Sequence, residues 1–541
     1  MKRQSAFLIL AFILGIAFFL RIYRLGENPP ALYIDEASFG YNAYSILKTG
    51  RDEFGVFLPI FTRSFSINYK DPVYLYSTAA SVRFFGLNEF AVRLPAAVFG
   101  TMAVFFTFLL AFELWRSRWN ALLAAFLLAV SPWNFHLSRF AIEAVSLSCV
   151  LTAGVYFLVR SLRQSRYAFL AAVLLALCFY SYAPAFSFVP MFLIVFVFIF
   201  RGTLKLRWKY YLGAFPIFFV MIFPLVFPSV RGEVQSKYFK EQLITNPAHR
   251  KFSIELLKAS GFPGVKYIEN RPALVTGAVF LRNYLSCFSY RFLFTAGDTS
   301  TSRQHVRRFG VLHRAELIFI CAGVLFCLLR GGGNNILILL WVLIFPVGPG
   351  LTTQWVPQLT RLVCALPVYQ LLGAVGVSWI LSTLYRSSRL KIVCGFIAFA
   401  FILAIGFSTA TYFLAYFRDY PKYSANAWGY GMREAIRGAE EIKGYDVVVI
   451  DETIPFVYIY PLFYLRWDPA RLLRESPLRF HGLYRVGALD KYLVGPIRLC
   501  PWPMRCLYIT RPPAPSFAKV VRVFSYPGVA PNFVISSSNK R

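Results

Sequence analysis

The segment KRQSAFLILAFILGIAFFLRIYR, Lys2 to Arg24, decides the class of this chain. From Ser5 to Leu20 it carries no charge; Lys2 and Arg3 precede the run, and Arg21 and Arg24 follow it. A helix crosses a bilayer with about 20 mostly apolar residues. The start resembles a signal peptide, basic then apolar, but no small-residue cleavage site follows. It therefore reads as an uncleaved first span that enters the membrane from the cytoplasm.

The rest of the chain has the same character. Of 541 residues 57% are apolar, 18% aromatic and 15% charged, and Phe occurs 57 times. Soluble domains have about 45–50% apolar and about 25% charged residues. Ten further runs read as spans: 91–114, 119–135, 140–159, 167–182, 184–200, 210–228, 312–329, 335–350, 361–384 and 392–416. Every second short connection is basic: 116–118, 160–166, 201–209, 330 and 386–391; the alternate ones carry only Arg139 and Arg361. The positive-inside rule then places the N-terminus inside and the C-terminal tail outside. Part of the net charge of +32 sits at the ends of apolar runs, and further Arg and Lys lie on the long polar loops, where they suit lipid phosphates. With no nucleic-acid-binding module present, nucleic acid is excluded as a partner.

The polar segments 21–90, 229–311 and 417–541 all fall on the outer face in this topology. Residues 1–416 form a transmembrane domain carrying the first two as outer loops. Transporters concentrate their chemistry near the midplane, often in repeated halves. Here the polar chemistry lies on one side and no repeat is visible, which favours an enzyme at the outer leaflet. A transporter would carry charges within its spans, and a non-catalytic scaffold would act through its tail.

The tail, 417–541, reads as a small α/β domain. GYDVVVID (Gly444–Asp451), RCLYIT and KVVRVFSY look like strands, while 430–443 and PLFYLRWDPARLL look helical. The nine cysteines lack metal spacing. Cys149, Cys178, Cys321, Cys327, Cys364 and Cys394 lie in or beside apolar runs and read as packing residues. Cys500 and Cys506, in CPWPMRC, can form a disulfide if the tail faces an oxidising compartment.

The first outer loop carries the candidate chemistry. Asp35-Glu36 lies in ALYIDEASFGYNAYSILKTG, a helix-like stretch just beyond the first span. Carboxylates near a membrane surface are poorly solvated, and one held there can take a proton from a hydroxyl. The alternative is an Asp that caps the helix running to Leu47. Downstream, Lys70 and Asp71 precede Pro72, a residue suited to opening a helix. A Lys at that position suits a phosphate or serves as an interfacial anchor.

The order of these pieces resembles the bacterial branch of glycosyltransferase family 39, relatives of the protein O-mannosyltransferases and the aminoarabinose transferase. The pieces are Asp35-Glu36-Ala37, Thr49-Gly50-Arg51-Asp52, Gly55, Pro59, Lys70-Asp71-Pro72 and Phe85-Gly86-Leu87-Asn88-Glu89, the last opening FGLNEFAVRLP. SPWNFHLSRFAIEA and FLFTAGDTSTSRQHVRRFGVLH continue the likeness, so that it covers roughly residues 20–320. In the latter, Gln304 separates Arg303 from His305, where the family tends to have Arg and His adjacent.

The resemblance implies an all-α polytopic fold of the GT-C type, about 11 transmembrane helices, followed by the α/β tail. It implies a hexosyl- or pentosyltransferase of the plasma (inner) membrane. The donor would be a polyprenyl-phosphate-linked sugar, and the acceptor a hydroxyl of a protein, lipid or polysaccharide. Asp35 would be the general base, Glu36 its support, and the displacement inverting. The rival within this setting is a transporter or flippase of lipid-linked glycans.

A phosphate leaving group needs cations rather than a strong acid. Lys70, Arg139, Arg303 and Arg361 are the candidates, with Asp71, Glu143 and His305 as further substrate-binding residues. Arg139 and Glu143, four apart, are expected on one helical face, where a mutual salt bridge is the plainer reading. Arg303, His305, Arg307 and Arg308 equally suit anionic headgroups, and Arg361 an interfacial anchor. Asp35, Glu36 and Glu143 have the oxygen chemistry for a divalent cation, but the resemblance points to none, and no cofactor is expected.

Overall fold

The computed structural model describes residues 3–65, 68–226, 249–261, 264–352, 356–386, 390–475, 478–481, 484–498, 500–501 and 503–538. The end of the predicted span at 227–228 and the loop residues 229–248 lie outside them. The chain resolves into two compact units that do not follow sequence order. One holds Met1–Tyr23, Ala96–Ser138 and Glu143–Ala415; the other holds Arg24–Pro95, Arg139–Ile142 and Tyr416–Arg541.

The first unit is helical. Among the described residues, eight helices of the chain are long and apolar enough to cross a membrane: Arg3–Ile22, Glu89–Trp115, Glu143–Ser161, Ala185–Leu206, Trp208–Leu225, Gly333–Gly350, Val363–Tyr385 and Lys391–Trp428. The other three predicted spans are shorter helices: Arg118–Val130, Tyr167–Cys178 and Glu316–Arg330. The expected span 119–135 is cut at Ser131-Pro132: proline lacks the N–H that would bond back one turn, which weakens a helix there, and it can open the next, Pro132–Leu137.

Apolar faces meet in this unit around Leu127, Phe319, Val377, Phe401 and Ile405. Glu316–Arg330 and Val368–Tyr385 come into backbone contact at two glycines. A Cβ on Gly376 would overlap the Phe319 carbonyl oxygen, and one on Gly323 the Leu372 carbonyl oxygen. Small residues that let backbones touch are a regular means of helix association in membranes.

The second unit is α/β. Its sheet uses β3 (Val447–Asp451), β4 (Leu478–His481), β5 (Tyr484–Leu489), β6 (Tyr492–Gly495), β7 (Cys506–Thr510), β8 (Ala518–Phe524) and β9 (Phe533–Ser538). The spatial order is β4-β5-β6-β3-β7-β9-β8. β3 pairs in parallel with β6 and β7, and the flanking pairs are antiparallel. The buried run Val448–Ile450 matches a central strand covered on both faces. The helices expected from the sequence are present as Met432–Glu441, Ile459–Tyr464 and Pro469–Glu475. Cys500 and Cys506 are joined in a disulfide.

The first loop groups with this tail. It supplies helix Ile34–Thr49, the hairpin β1 (Thr62–Ser64) and β2 (Asn68–Lys70), and helix Pro72–Phe85. Gly40 permits close packing here: a Cβ would lie 2.7 Å from Val92 Cγ2 and clash with the Phe463 ring.

Candidate active site

The site is built on the first turn of Ile34–Thr49. Its C-terminal end is set by Gly50, whose φ of 69° is the left-handed conformation that glycine adopts without strain; its N–H donates to Ile46 O at 2.8 Å. Three side chains then grip the helix. Asn42 exchanges hydrogen bonds with Glu53, donating to Oε1 at 3.1 Å and accepting from the Glu53 N–H at 2.9 Å. Ser45 donates to Arg51 O at 2.7 Å, and Ser38 meets Ser64 of the hairpin at 2.8 Å. Asp52 Oδ1 accepts from the Phe54 and Val56 N–H groups, both at 2.9 Å, which closes the turn. The Thr49-to-Gly55 stretch thus acts as a clamp on the helix.

The helix presents its two acids in opposite states. Glu36 is 1% exposed and accepts four hydrogen bonds. Arg93 donates to it through Nε (2.9 Å to Oε1) and Nη2 (2.8 Å to Oε2). The Tyr33 N–H donates to Oε2 at 3.0 Å and the Ala141 N–H to Oε1 at 2.8 Å. Arg93, fully buried, spends its remaining donors on the carbonyls of Leu25, Pro29 and Ala31, and packs over Trp428. One ion pair therefore ties the chain after the first span, the start of the second, and the 139–142 segment.

Asp35, by contrast, keeps 40% of its side chain exposed. Lys70 Nζ donates to Asp35 Oδ1 at 2.5 Å from a side chain only 4% exposed, and lies over the Phe39 ring at 4.6 Å. Lys70 is placed by the hairpin register, opposite Thr62. Asp71 takes the N-cap position of Pro72–Phe85 with Pro72 at its first turn, as the sequence suggested. Asp35 itself is not the cap of its helix: Tyr33 is, and Glu36 bonds back to it.

Arg139 belongs to the same unit and is fully buried. Its Nη2 donates to Asn28 O at 2.7 Å, its Nε to Tyr416 Oη at 3.3 Å, and it stacks over Phe417 at 4.9 Å. The expectation that Arg139 and Glu143 share a helical face is incorrect. The helix begins at Glu143, and Arg139 occupies the turn that follows Pro132–Leu137. The chain leaves the helix at Ser138 so that the Ala141 N–H can reach Glu36.

Glu143, Arg303, His305 and Arg361 belong to the helical unit. Glu143 is buried at the helix start. His136 Nε2 lies 2.7 Å from Arg303 O, and His305 Nδ1 lies 3.0 Å from Thr301 O. Arg361 is half-buried before the short turn Val363–Ala365. The loop is organised around Asp298, which accepts from the Ser300 N–H (2.9 Å) and the Leu359 N–H (2.7 Å). Burial pushes the Asp298 carboxyl up; those hydrogen bonds and His305 pull the other way. Among the described residues, no group of three or more His, Cys, Asp or Glu is placed to hold a metal ion.

The residue that sequence reasoning passed over is Arg93. Its signal was an arginine inside the apolar run FAVRLPAAVF, a costly placement that implies a partner.

Comparison with known proteins supports the resemblance read from the motifs. The family model for dolichyl-phosphate-mannose-protein mannosyltransferase matches residues 11–238. An uncharacterized protein of Aquifex aeolicus (strain VF5) is 28% identical over 203 residues, covering 37% of this chain and 39% of that protein. This chain thus matches well under half the length of that relative. Apo ArnT from Cupriavidus metallidurans superposes with a TM-score of 0.53 at 13% identity, over 99% of this chain and 98% of that one. Its structure bound to undecaprenyl phosphate gives 0.51 at 13% identity with the same coverage. Archaeal oligosaccharyltransferase AglB from Archaeoglobus fulgidus, in complex with an inhibitory peptide and a dolichol-phosphate, gives 0.54 at 15% identity, over 86% of this chain and 64% of that one. At these identities the likeness establishes the fold: a polytopic helical protein of the GT-C type with a β-containing C-terminal domain.

Proposed function

We propose that this chain is a membrane glycosyltransferase that moves a sugar from a polyprenyl-phosphate donor to an acceptor hydroxyl, with Asp35 as the base. The observation that carries the reading is the division of labour between the two acids. Glu36 has its oxygens filled by Arg93 and two backbone N–H groups, while Asp35 is oriented by Lys70 and stays accessible. In the proposed step the acceptor oxygen bonds to the anomeric carbon as its proton passes to Asp35. The bond from that carbon to the phosphate oxygen breaks, releasing polyprenyl phosphate and inverting the centre. Lys70 supplies positive charge on the same unit, and no metal or other cofactor enters the step. Arg139 is assigned here to positioning, since its guanidinium is engaged with Asn28 and Tyr416.

Support for a lipid-phosphate sugar donor comes from the family match over the segment that contains Asp35, Glu36, Lys70 and Arg93. Fold mates solved with undecaprenyl phosphate and dolichol-phosphate point the same way. The transporter reading is less favoured because in Arg3–Ile22, Glu89–Trp115 and Glu143–Ser161 the charged side chains, such as Arg21, Arg93, Glu113 and Arg160, fall within the first or last two turns. An outer-face site is supported by the alternation of basic loops and by the tail disulfide, since such bonds persist in oxidising compartments.

The test is sugar transfer in membranes supplied with a polyprenyl-phosphate sugar. Asp35→Asn should lower the rate by about 10²–10⁴-fold, the usual contribution of a general base, with thermal stability retained. Full activity in that variant would refute the assignment.

A further inference from the structure

The helical unit contains a cavity lined by both apolar and charged side chains. This cavity, of about 860 Å³, opens where Arg3–Ile22, Glu89–Trp115 and Glu143–Ser161 come together. Its lining is mostly apolar, with Leu10, Phe108, Leu109 and Phe112 among the residues, and it also includes Arg3, Arg118, Arg160 and Glu113. The size falls within the roughly 300–1,000 Å³ of ligand pockets.

Glu113 makes this end of the unit unusual. Its side chain is 1% exposed in the last turn of Glu89–Trp115, and a buried carboxylate in an apolar helix is expensive unless it has partners. It gathers three guanidinium groups: Arg116, Arg160 Nη1 at 3.5 Å and Arg163 Nε at 3.6 Å. Arg160 also lies over the Tyr167 ring at 4.8 Å. A topology-setting arginine needs only to point into water; these are organised on a buried anion, and Arg160 and Glu113 both line the cavity. With Arg3 and Arg118 in the same lining, three arginines and one glutamate line the cavity. The result is an excess of positive charge in a mostly apolar lining.

We propose that this cavity binds one anionic glycerophospholipid, its phosphate among Arg3, Arg118 and Arg160 and an acyl chain along Leu10, Phe108 and Leu109. Charge complementarity selects the headgroup: phosphatidylglycerol is attracted, while the choline of phosphatidylcholine is repelled by the same arginines. Glu113 fixes Arg160 of this set through their ion pair rather than contacting the lipid.

The experiment titrates phosphatidylglycerol, and separately phosphatidylcholine, into the detergent-purified full chain, counting bound lipid by native mass spectrometry. One equivalent of phosphatidylglycerol is expected, with phosphatidylcholine displaced by it. The double variant Arg3→Gln/Arg118→Gln should weaken phosphatidylglycerol binding by about thirty-fold, since each basic residue near a lipid surface is worth about 1 kcal/mol. Leu109→Trp, which fills the apolar part without touching a charge, should abolish binding. A thermal unfolding curve for each variant separates lost binding from lost fold. Equal retention of phosphatidylcholine, or wild-type phosphatidylglycerol binding in either folded variant, would overturn the site.

Discussion

Arg93 is the residue whose removal should damage the second unit most. Its guanidinium is fully buried and makes five hydrogen bonds: two to Glu36 and three to the carbonyls of Leu25, Pro29 and Ala31. Arg93→Met preserves much of the side-chain length and apolar bulk but removes all five donors. Glu36 would then keep only the Tyr33 and Ala141 N–H groups, and its charge would be buried without a counter-ion. Breaking a buried pair from one side costs about 3–5 kcal/mol, mostly from the stranded charge. At about 2–4 °C per kcal/mol for a domain of this size class, the melting midpoint in detergent should fall by about 6–20 °C. Glu36→Gln/Arg93→Met strands no charge, so it should be milder than the sum of the single variants by about 0.5–3 kcal/mol, the coupling seen between contacting residues. Nanoscale fluorimetry on the purified chain measures both. A midpoint for Arg93→Met within about 2 °C of wild type, or strict additivity in the cycle, would show that the pair does not hold this unit together.

The other expectations are simpler. Lys70→Met should lower transfer activity by at least about tenfold while leaving the fold intact, because Asp35 loses the ammonium that orients it; an unchanged rate would detach Lys70 from the site. Gly40→Val should destabilise by about 1–3 kcal/mol through overpacking against Val92 and Phe463, read as a lower midpoint, and Gly40→Ala should cost less. Cys500→Ser opens a bridge with a sequence separation of 6; the loop-entropy relation gives about 2 kcal/mol, measurable as faster proteolysis of the tail. Asp298 sets a pH dependence in the helical unit. Its carboxyl is raised by burial, so its contribution is complete below the unfolded carboxyl range and is lost as pH rises through the raised value. Asp298→Asn should flatten that part of the stability profile, and an unaltered profile would contradict it.

What was legible in the sequence depended on the length scale of the signal. Helices were legible because a bilayer demands a long apolar run and a basic end, both one-dimensional properties. Thus Lys391, Arg386 and the apolar run 392–416 located the last long helix. The central strands β3 and β7 were legible for the same reason, as continuous runs of buried residues in GYDVVVID and RCLYIT. The strands β4, β5 and β6 were not foreseen, because stretches such as LRFH and YRVGAL are held by their neighbours in the sheet rather than by a pattern of their own. The same distinction separates the two acids. Adjacent in sequence, Asp35 and Glu36 looked like one functional pair. Their separation into an accessible carboxylate and a buried strut is set by Lys70, which lies thirty-five residues away, and by Arg93, fifty-seven residues away. Arg139 shows the converse. Spacing alone put it on a helix with Glu143, but the demand of Glu36 for the Ala141 N–H pulls that stretch out of the helix and leaves Arg139 to hold Asn28 and Tyr416. A buried charge must be satisfied wherever its partners lie in the chain. The geometry of this site therefore follows from the partners of Glu36 more directly than from the residues that flank it.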